Sequence, residues 1–300
     1  MLNLFGYDIS MNSLGINTTS KQLGSLRYME RTADNDSNAP TIVFLHGNSF
    51  SSAVFQNQFE SSLLRDFRLI AFDLPGHGRS KPISPEIGYT FGSLADAVID
   101  GLAALDLKDV VLAGWSLGGH VALEMLDRTP RVAGAMIFGT PPLHAGALSS
   151  IRAYHFSRDM FLISKAQLSP VDAIRLEKFC IGPNANGEHI NAIEKSAPNV
   201  RTDVFKSVLQ GKNRDQYDLA VGATKPLSIL NGADDPLVRA SYIQSIAENP
   251  GYSGEVAMID DAGHAPFIDQ TLVFDFMLSC FARRVATGEN ATTAAHRHAA

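Results

Sequence analysis

A serine at position 116 stands in a setting that could turn its hydroxyl into a nucleophile. The segment "GWSLGGH" covers residues 114–120, with the apolar run "VVLA" before it and "VALEML" after it. This order predicts a strand, a tight turn and a helix, with Ser116 at the turn. Such a turn forces its central residue into a strained backbone conformation, so the neighbouring residues must lack bulk, as glycines do. The hydroxyl would then project from the sheet at the positive end of a helix dipole.

A serine hydroxyl is a poor nucleophile unless a base takes its proton, so a histidine and a carboxylate are needed further along the chain. His264 ends the last predicted strand, in "DDAGHAPF", and Asp234 and Asp235 end the preceding strand, in "NGADDP". The order Ser, Asp, His is the one expected for a serine at a strand-to-helix turn. This combination favours a nucleophile over the alternative that Ser116 is only a small turn residue.

Strand-like and helix-like segments alternate along most of the chain, which predicts an α/β fold with a mostly parallel central sheet flanked by helices. Continuous apolar and β-branched runs are typical of buried parallel strands. Two short antiparallel strands are expected within residues 23–32. The parallel strands are predicted at 41–47, 67–76, 109–116, 132–140, 225–236 and 254–264, and the helices at 54–64, 90–105, 117–128 and 272–284.

The alternation stops after residue 144 and resumes near residue 221, which predicts an inserted unit. The intervening segment contains helix-like fragments and no strong strand, so we expect a helical cap laid over the sheet edge where the loops converge. The expected division is a core made of residues 1–144 and 221–285, a helical cap at 145–220, and a disordered tail at 286–300. Apolar cap residues are expected to form the core of the cap and the roof of a pocket: Phe156, Met160, Phe161, Leu162, Ile163 and Phe179.

Composition excludes several classes of function. The chain has 45% hydrophobic and 19% charged residues and a net charge of −6, so nothing electrostatic indicates nucleic acid or a membrane as partner. No apolar run approaches the ~18–20 residues that span a bilayer, and the first residues lack a signal-peptide pattern. We therefore expect a cytoplasmic protein, a monomer or weak homodimer, in which Cys180 and Cys280 are free buried thiols.

The motifs together resemble those of the α/β-hydrolase fold family, from about residue 20 to residue 284. The resemblance rests on "HGNSFSSAVF", "DLPGHGRS", "GWSLGGH", "GTPP", "NGADDP" and "IDDAGHAPF". In that family the acid often lies in a G-x-x-D segment, which implies Asp235 as the catalytic acid and leaves Asp234 as the alternative. The oxyanion hole would use the backbone N–H of Leu117, after the nucleophile, and by resemblance that of Asn48, after His-Gly.

Within that fold, the same strings are most similar to the metal-independent lactonases that open N-acyl-homoserine lactones. This likeness implies a lactone or ester substrate, with Asn48, Trp115 and Phe50 as substrate-binding candidates. A cap tyrosine contacts the lactone in those enzymes, and Tyr154 and Tyr217 are the candidates here. No cofactor is expected. No metal is expected either, because the H-x-H pattern of a zinc site occurs only at His296 and His298 in the predicted tail.

The expected function is a serine hydrolase that acts through an acyl-enzyme on N-acyl-homoserine lactones, which would make it a quorum-quenching enzyme. Alternatives with the same fold are a carboxylesterase, a perhydrolase and a C–C bond hydrolase. A dehalogenase is disfavoured because that reaction needs an aspartate where Ser116 stands. A non-catalytic ligand receptor is a third possibility, although such proteins usually lose a member of the triad.

Overall fold

The computed structural model describes residues 18–34 and 39–288, and a twisted sheet of eight strands runs through it. The strands are β1 (Thr18–Leu23), β2 (Leu26–Arg31), β3 (Ile42–Leu45), β4 (Leu69–Asp73), β5 (Val110–Trp115), β6 (Val132–Phe138), β7 (Leu227–Gly232) and β8 (Glu255–Ile259). Their order is β1-β2-β4-β3-β5-β6-β7-β8. β2 pairs antiparallel with both β1 and β4, and the other neighbouring strands pair in parallel.

Helices connect the parallel strands and cover both faces of the sheet. They are α1 (Gln56–Glu60), α2 (Phe91–Ala104), α3 (Leu117–Leu126), α4 (Ala147–Ala153), α5 (Pro170–Ile181), α6 (Ile190–Lys195), α7 (Pro198–Leu209), α8 (Gln216–Val221), α9 (Ala240–Ala247), α10 (Pro266–Asp269) and α11 (Thr271–Thr287). Short 3₁₀ turns occupy Ser52–Phe55, Ser62–Leu64, Met160–Ser164 and Gly182–Asn184. The predicted fold class, a mostly parallel α/β sheet flanked by helices, is confirmed.

Burial explains why the strands could be recognised in the sequence. Every residue of β3, β4, β5 and β7 is buried, because helices lie on both faces of the sheet. A strand covered on both faces needs apolar residues at successive positions rather than at alternate ones. Two apolar clusters result, one on each face: Val43 and Leu112 belong to the first, and Phe44 and Val111 to the second.

The segment between β6 and β7 is helical, with α4 to α8 in succession. One isolated β-bridge joins it to the body of the protein, between Tyr154 and Val238. The division into a core and a cap at residues 145–220 stays a prediction, as does the disordered tail, of which residues 289–300 lie outside the described residues. Within the part of the chain that the structure describes, no helix has the length and apolar character needed to cross a membrane.

Three local expectations were wrong. Residues 54–64 form a short helix flanked by two 3₁₀ turns rather than one amphipathic helix. The spacing in α11 predicts an apolar face made of Val273, Phe276, Met277 and Cys280, but Phe276 is 60% exposed, whereas Phe274 and Leu278 are buried. Both faces of α11 carry apolar residues at helical spacing, and that spacing does not say which face meets the core. Exposed side chains that were expected inside are Phe156, Phe161 and Cys280.

Candidate active site

Ser116 lies at the turn between β5 and α3 and has a strained backbone. Its φ is 52° and its ψ is −115°, a combination that L-residues seldom adopt. The neighbouring glycines are required by contact: a Cβ on Gly118 would lie 2.0 Å from the carbonyl oxygen of Leu45, and one on Gly114 would lie 2.5 Å from that of Gly118. The tight turn predicted from the sequence is therefore present, and larger residues could not form it.

His264 and Asp235 form a buried pair on the loops that follow β8 and β7. The Nδ1 atom of His264 lies 2.9 Å from Oδ2 of Asp235, and both side chains are almost completely buried. The other carboxylate oxygen, Oδ1, accepts hydrogen bonds from the backbone N–H groups of Leu237 at 2.8 Å and Val238 at 2.9 Å. Because a carboxylate only accepts, the hydrogen of the neutral imidazole lies on Nδ1, and Nε2 can take a proton.

The two candidate acids differ sharply in position. Asp235 contacts His264, whereas Asp234 is exposed and borders an outer groove. That groove has a polar wall and also reaches His264. The acidic residues on its wall include Asp261 and Asp269. Of the two aspartates that the sequence left open, Asp235 is the one at hydrogen-bond distance from the imidazole, and its role as the catalytic acid stays a prediction.

The position of His264 depends on packing as well as on Asp235. The indole Nε1 of Trp115 donates a hydrogen bond of 2.8 Å to the backbone oxygen of His264. Gly139, with a φ of 57°, leaves room for the ring, because a Cβ there would lie 3.1 Å from Nδ1 of His264. The loop that carries the candidate base is therefore attached directly to the strand that carries Ser116.

One cavity brings the remaining candidates together. Met160 and Ile163 from the cap and Leu237 from the core give it a mostly apolar wall, as expected for a small-molecule site. Ser116 and His264 border it, and so do the other candidates, Asn48, Phe50, Trp115 and Leu117. Phe50 packs edge-on against Trp115, with ring centroids 4.8 Å apart.

Asn48 and Leu117, whose backbone N–H groups are the candidates for the oxyanion hole, both border the cavity. Leu117 is the first residue of α3, so its N–H has no partner in the helix. Among residues 18–34 and 39–288, neither this group nor the N–H of Asn48 donates a hydrogen bond to a protein acceptor. The side-chain Nδ2 of Asn48 donates to the backbone oxygen of Ile163 at 3.1 Å, which ties this loop to the cap.

His46 and His77 have structural surroundings. His46 accepts a hydrogen bond from the backbone N–H of Leu74 at Nε2 (2.9 Å), while burial lowers the pKa of His46 and, strongly, that of His77. Among the described residues, one group could hold a metal ion, namely His144, Asp215 and Asp218. None of the three borders the cavity that contains Ser116.

Arg201 is a polar residue of the cavity that no sequence pattern indicated. Arg201, buried on α7, donates to Ser49 Oγ at 3.0 Å and to the backbone oxygens of Lys165 and Ala166 at 2.7 and 2.8 Å. Desolvation lowers its pKa to about 10. Of the two cap tyrosines, Tyr154 borders the cavity and Tyr217 does not. A single arginine in a helical segment has no spacing pattern, so only the fold could reveal the position of Arg201.

The strain at Ser116 gives a stability prediction. Replacing Ser116 by glycine removes the Cβ that disfavours its φ of 52°, whereas replacing it by alanine keeps that Cβ. We expect Ser116→Gly to have a free energy of unfolding higher than that of Ser116→Ala by ~1 kcal/mol. Urea unfolding of the two variants measures the difference, and an equal or lower value for the glycine variant would contradict strain at this turn.

Comparison with known proteins agrees with this architecture. A model of the alpha/beta hydrolase family matches residues 42–276. Crystal structures of the N-acyl homoserine lactonase AidH, complexed with N-hexanoyl homoserine lactone or N-butanoyl homoserine, are 30% identical with a TM-score of 0.80. Each match covers 90% of this chain. It covers 98% of the matched chain in the first structure and 97% in the second.

Curated relatives give a broader picture. The pimeloyl-(acyl-carrier protein) methyl ester esterase of Aromatoleum aromaticum is 26% identical over 243 residues, or 77% of this chain and 93% of the relative. The AB hydrolase superfamily protein YisY of Bacillus subtilis is 37% identical over 87 residues, which are 29% of this chain and 32% of YisY. The resemblance expected from the motifs is confirmed at the level of the family and of its lactonases. The chain belongs to the alpha/beta hydrolase family of enzymes.

Proposed function

We propose that this enzyme is a serine hydrolase that opens the lactone ring of N-acyl-homoserine lactones through an acyl-enzyme, without a metal or other cofactor. One observation carries the proposal: Ser116 at its strained turn borders the same apolar cavity as His264, whose ring is paired with the buried carboxylate of Asp235. The lactone substrate is favoured by the likeness to AidH over nearly its whole length. Removal of such lactones would quench quorum sensing.

The proposed reaction begins at Ser116. Its Oγ attacks the lactone carbonyl carbon while Nε2 of His264 takes the hydroxyl proton, and Asp235 stabilises the resulting imidazolium. The negative charge that develops on the carbonyl oxygen is stabilised by the N–H groups of Asn48 and Leu117. The ring C–O bond then breaks, and the alkoxide takes the proton from His264. Water, deprotonated by the same histidine, attacks the acyl-enzyme and releases the acid and Ser116.

A lactone imposes an additional requirement, because its leaving alcohol stays attached to the acyl group. An attached alcohol re-attacks with an effective concentration on the order of 10⁵ M or more, so water must compete with ring closure. We therefore assign the outer polar groove that reaches His264 as the route of the hydrolytic water. The apolar cavity would meanwhile hold the acyl chain.

The substrate is tested by measuring kcat/KM for a series of N-acyl-homoserine lactones beside p-nitrophenyl esters, with and without a chelator. We expect ring opening that the chelator does not change, because the proposed chemistry uses side chains alone. Loss of ring opening on chelation would contradict the mechanism, and Ser116→Ala measures the background rate.

The alternative substrate class is an unstrained carboxylic ester, which the methyl ester esterase of Aromatoleum aromaticum supports. The same experiment separates the two. Hydrolysis of p-nitrophenyl esters without opening of any lactone in the series would leave a carboxylesterase as the function and remove the lactonase proposal.

A further inference from the structure

Three polar side chains form one chain of hydrogen bonds, and two of them, His120 and Tyr154, line the cavity. His120 lies on α3, four residues after Ser116; Gln216 begins α8; and Tyr154 follows α4. Gln216 lies next to His120, with its Oε1 atom 2.5 Å from Nδ1 and its Nε2 atom 2.9 Å from the backbone oxygen. Nε2 of His120 lies 3.3 Å from the hydroxyl oxygen of Tyr154.

The direction of these hydrogen bonds follows from the groups themselves. A backbone oxygen only accepts, so the amide NH₂ of Gln216 must face the carbonyl of His120, and its amide oxygen must face Nδ1. Because an amide oxygen also only accepts, the hydrogen of the imidazole lies on Nδ1. Burial lowers the pKa of His120 to about 4, so the ring is neutral near pH 7 and its Nε2 is a bare acceptor. The ring of Phe91, stacked at 4.4 Å, fixes the plane of the imidazole.

Tyr154 must therefore donate its single hydroxyl hydrogen to His120. Burial raises the pKa of Tyr154, so the phenol keeps that hydrogen. The backbone of Tyr154 is held by its β-bridge to Val238 and by the side chain of Arg239, whose Nε donates a hydrogen bond of 2.9 Å to the backbone oxygen of Tyr154. What the hydroxyl can still offer to a molecule in the cavity is a lone pair, which is a hydrogen-bond acceptor.

We propose that Gln216 and His120 are positioning residues that keep the Tyr154 hydroxyl an acceptor, so that the cavity selects lactones or esters bearing an N–H donor beside the scissile carbonyl. A secondary amide supplies such a donor. This inference rests on the proposed function and adds to it a reason for discriminating an N-acyl amino lactone from a lactone of the same shape without the N–H. A substrate that presents lone pairs or an apolar group to the Tyr154 hydroxyl would leave the lone pair of this buried oxygen without a hydrogen-bond donor.

Loss of Gln216 has a specific consequence under this proposal. Without the amide, the hydrogen of His120 can move to Nε2, and Tyr154 then accepts from the imidazole and turns its own hydrogen toward the cavity. The cavity would present a donor where it now presents an acceptor. Gln216→Met, which keeps the length of the side chain, should therefore lose the selectivity although Gln216 itself does not border the cavity.

The test compares N-hexanoyl-homoserine lactone with its carba analogue, in which CH₂ replaces the amide N–H. We expect the unmodified enzyme to favour the amide by ~10- to 100-fold in kcat/KM. In Tyr154→Phe and Gln216→Met the ratio should fall to within about threefold of one. Tyr217→Phe is the matched control and should keep the ratio, because the Tyr217 hydroxyl accepts from Asn249 outside the cavity. Melting temperatures check that each variant folds.

The outcomes separate this inference from the proposed function. Equal rates on both lactones, or an unchanged ratio in Tyr154→Phe and Gln216→Met, would overturn the inference and leave the lactonase intact. Should neither lactone be opened, the lactonase proposal fails, and the same ratio is measured with the p-nitrophenyl ester of N-hexanoylglycine and its carba analogue. A ratio near one there, or no turnover of either ester, overturns the inference as well.

Discussion

Ser116→Ala is expected to lose at least ~10⁴-fold in kcat on any lactone or ester that the enzyme turns over. The reason is that the Ser116 hydroxyl is the proposed nucleophile, at the strained turn on the wall of the cavity that His264 also borders. The fold should be unchanged, because the alanine keeps the same Cβ and the side chain of Ser116 makes no hydrogen bond that holds the turn. Turnover is followed by chromatography of the opened product, and folding by thermal unfolding.

A fluorophosphonate probe adds a readout that does not depend on guessing the substrate. It should label the unmodified enzyme and not Ser116→Ala, whereas Ser245→Ala, a change at an exposed serine of α9, should be labelled normally. A receptor without an activated serine would stay unlabelled in every form. Labelling of Ser116→Ala would mean that another residue is the nucleophile, and residual turnover above ~1% would have the same meaning.

Asp235→Asn is expected to lose ~10³- to 10⁴-fold in kcat, for a reason that the geometry makes specific. Oδ1 of Asp235 accepts from the N–H groups of Leu237 and Val238, so the amide oxygen of an asparagine must stay on that side. Its NH₂ group would then face Nδ1 of His264 and move the imidazole hydrogen to Nε2. A histidine in that tautomer cannot take the proton of Ser116.

Asp234→Asn is the matched control, since it changes an adjacent aspartate in the same way. Asp234 is exposed and is not bonded to His264, so kcat should stay within about twofold of the unmodified enzyme. Measurement of kcat and KM for both variants decides between the two carboxylates. A large loss in Asp234→Asn with normal activity in Asp235→Asn would reverse the assignment.

The parallel strands and the serine turn could be predicted from the sequence because each depends on local physical demands. Strands covered on both faces require continuous apolar runs, and the turn at Ser116 requires glycine at positions 114 and 118. The choice between Asp234 and Asp235 could not be made from local pattern alone, because adjacent aspartates on one loop differ only in direction. One carboxylate points inward to His264 and the other to solvent.

The hydrogen bonds that join Gln216, His120 and Tyr154 could not be predicted from the sequence for a different reason. Gln216 and His120 are 96 positions apart and meet only because the cap returns over α3. Tyr154 could be named as one of two cap tyrosines, but its partner could not. The errors on the surface have a related cause: Phe276 and Phe274 both fit an apolar helical pattern, and only the packing of α11 shows which one is buried.

The location of His264 after β8 has a consequence for the order in which the enzyme matures. Among the described residues, β8 is an edge strand that pairs with β7 alone, so the base proposed at position 264 cannot be in place until that strand has docked. A nascent chain on the ribosome exposes Ser116 on the order of ten seconds before position 264 is made. Under the proposed mechanism, the serine is inert throughout that interval and becomes reactive only when the last strand closes the sheet.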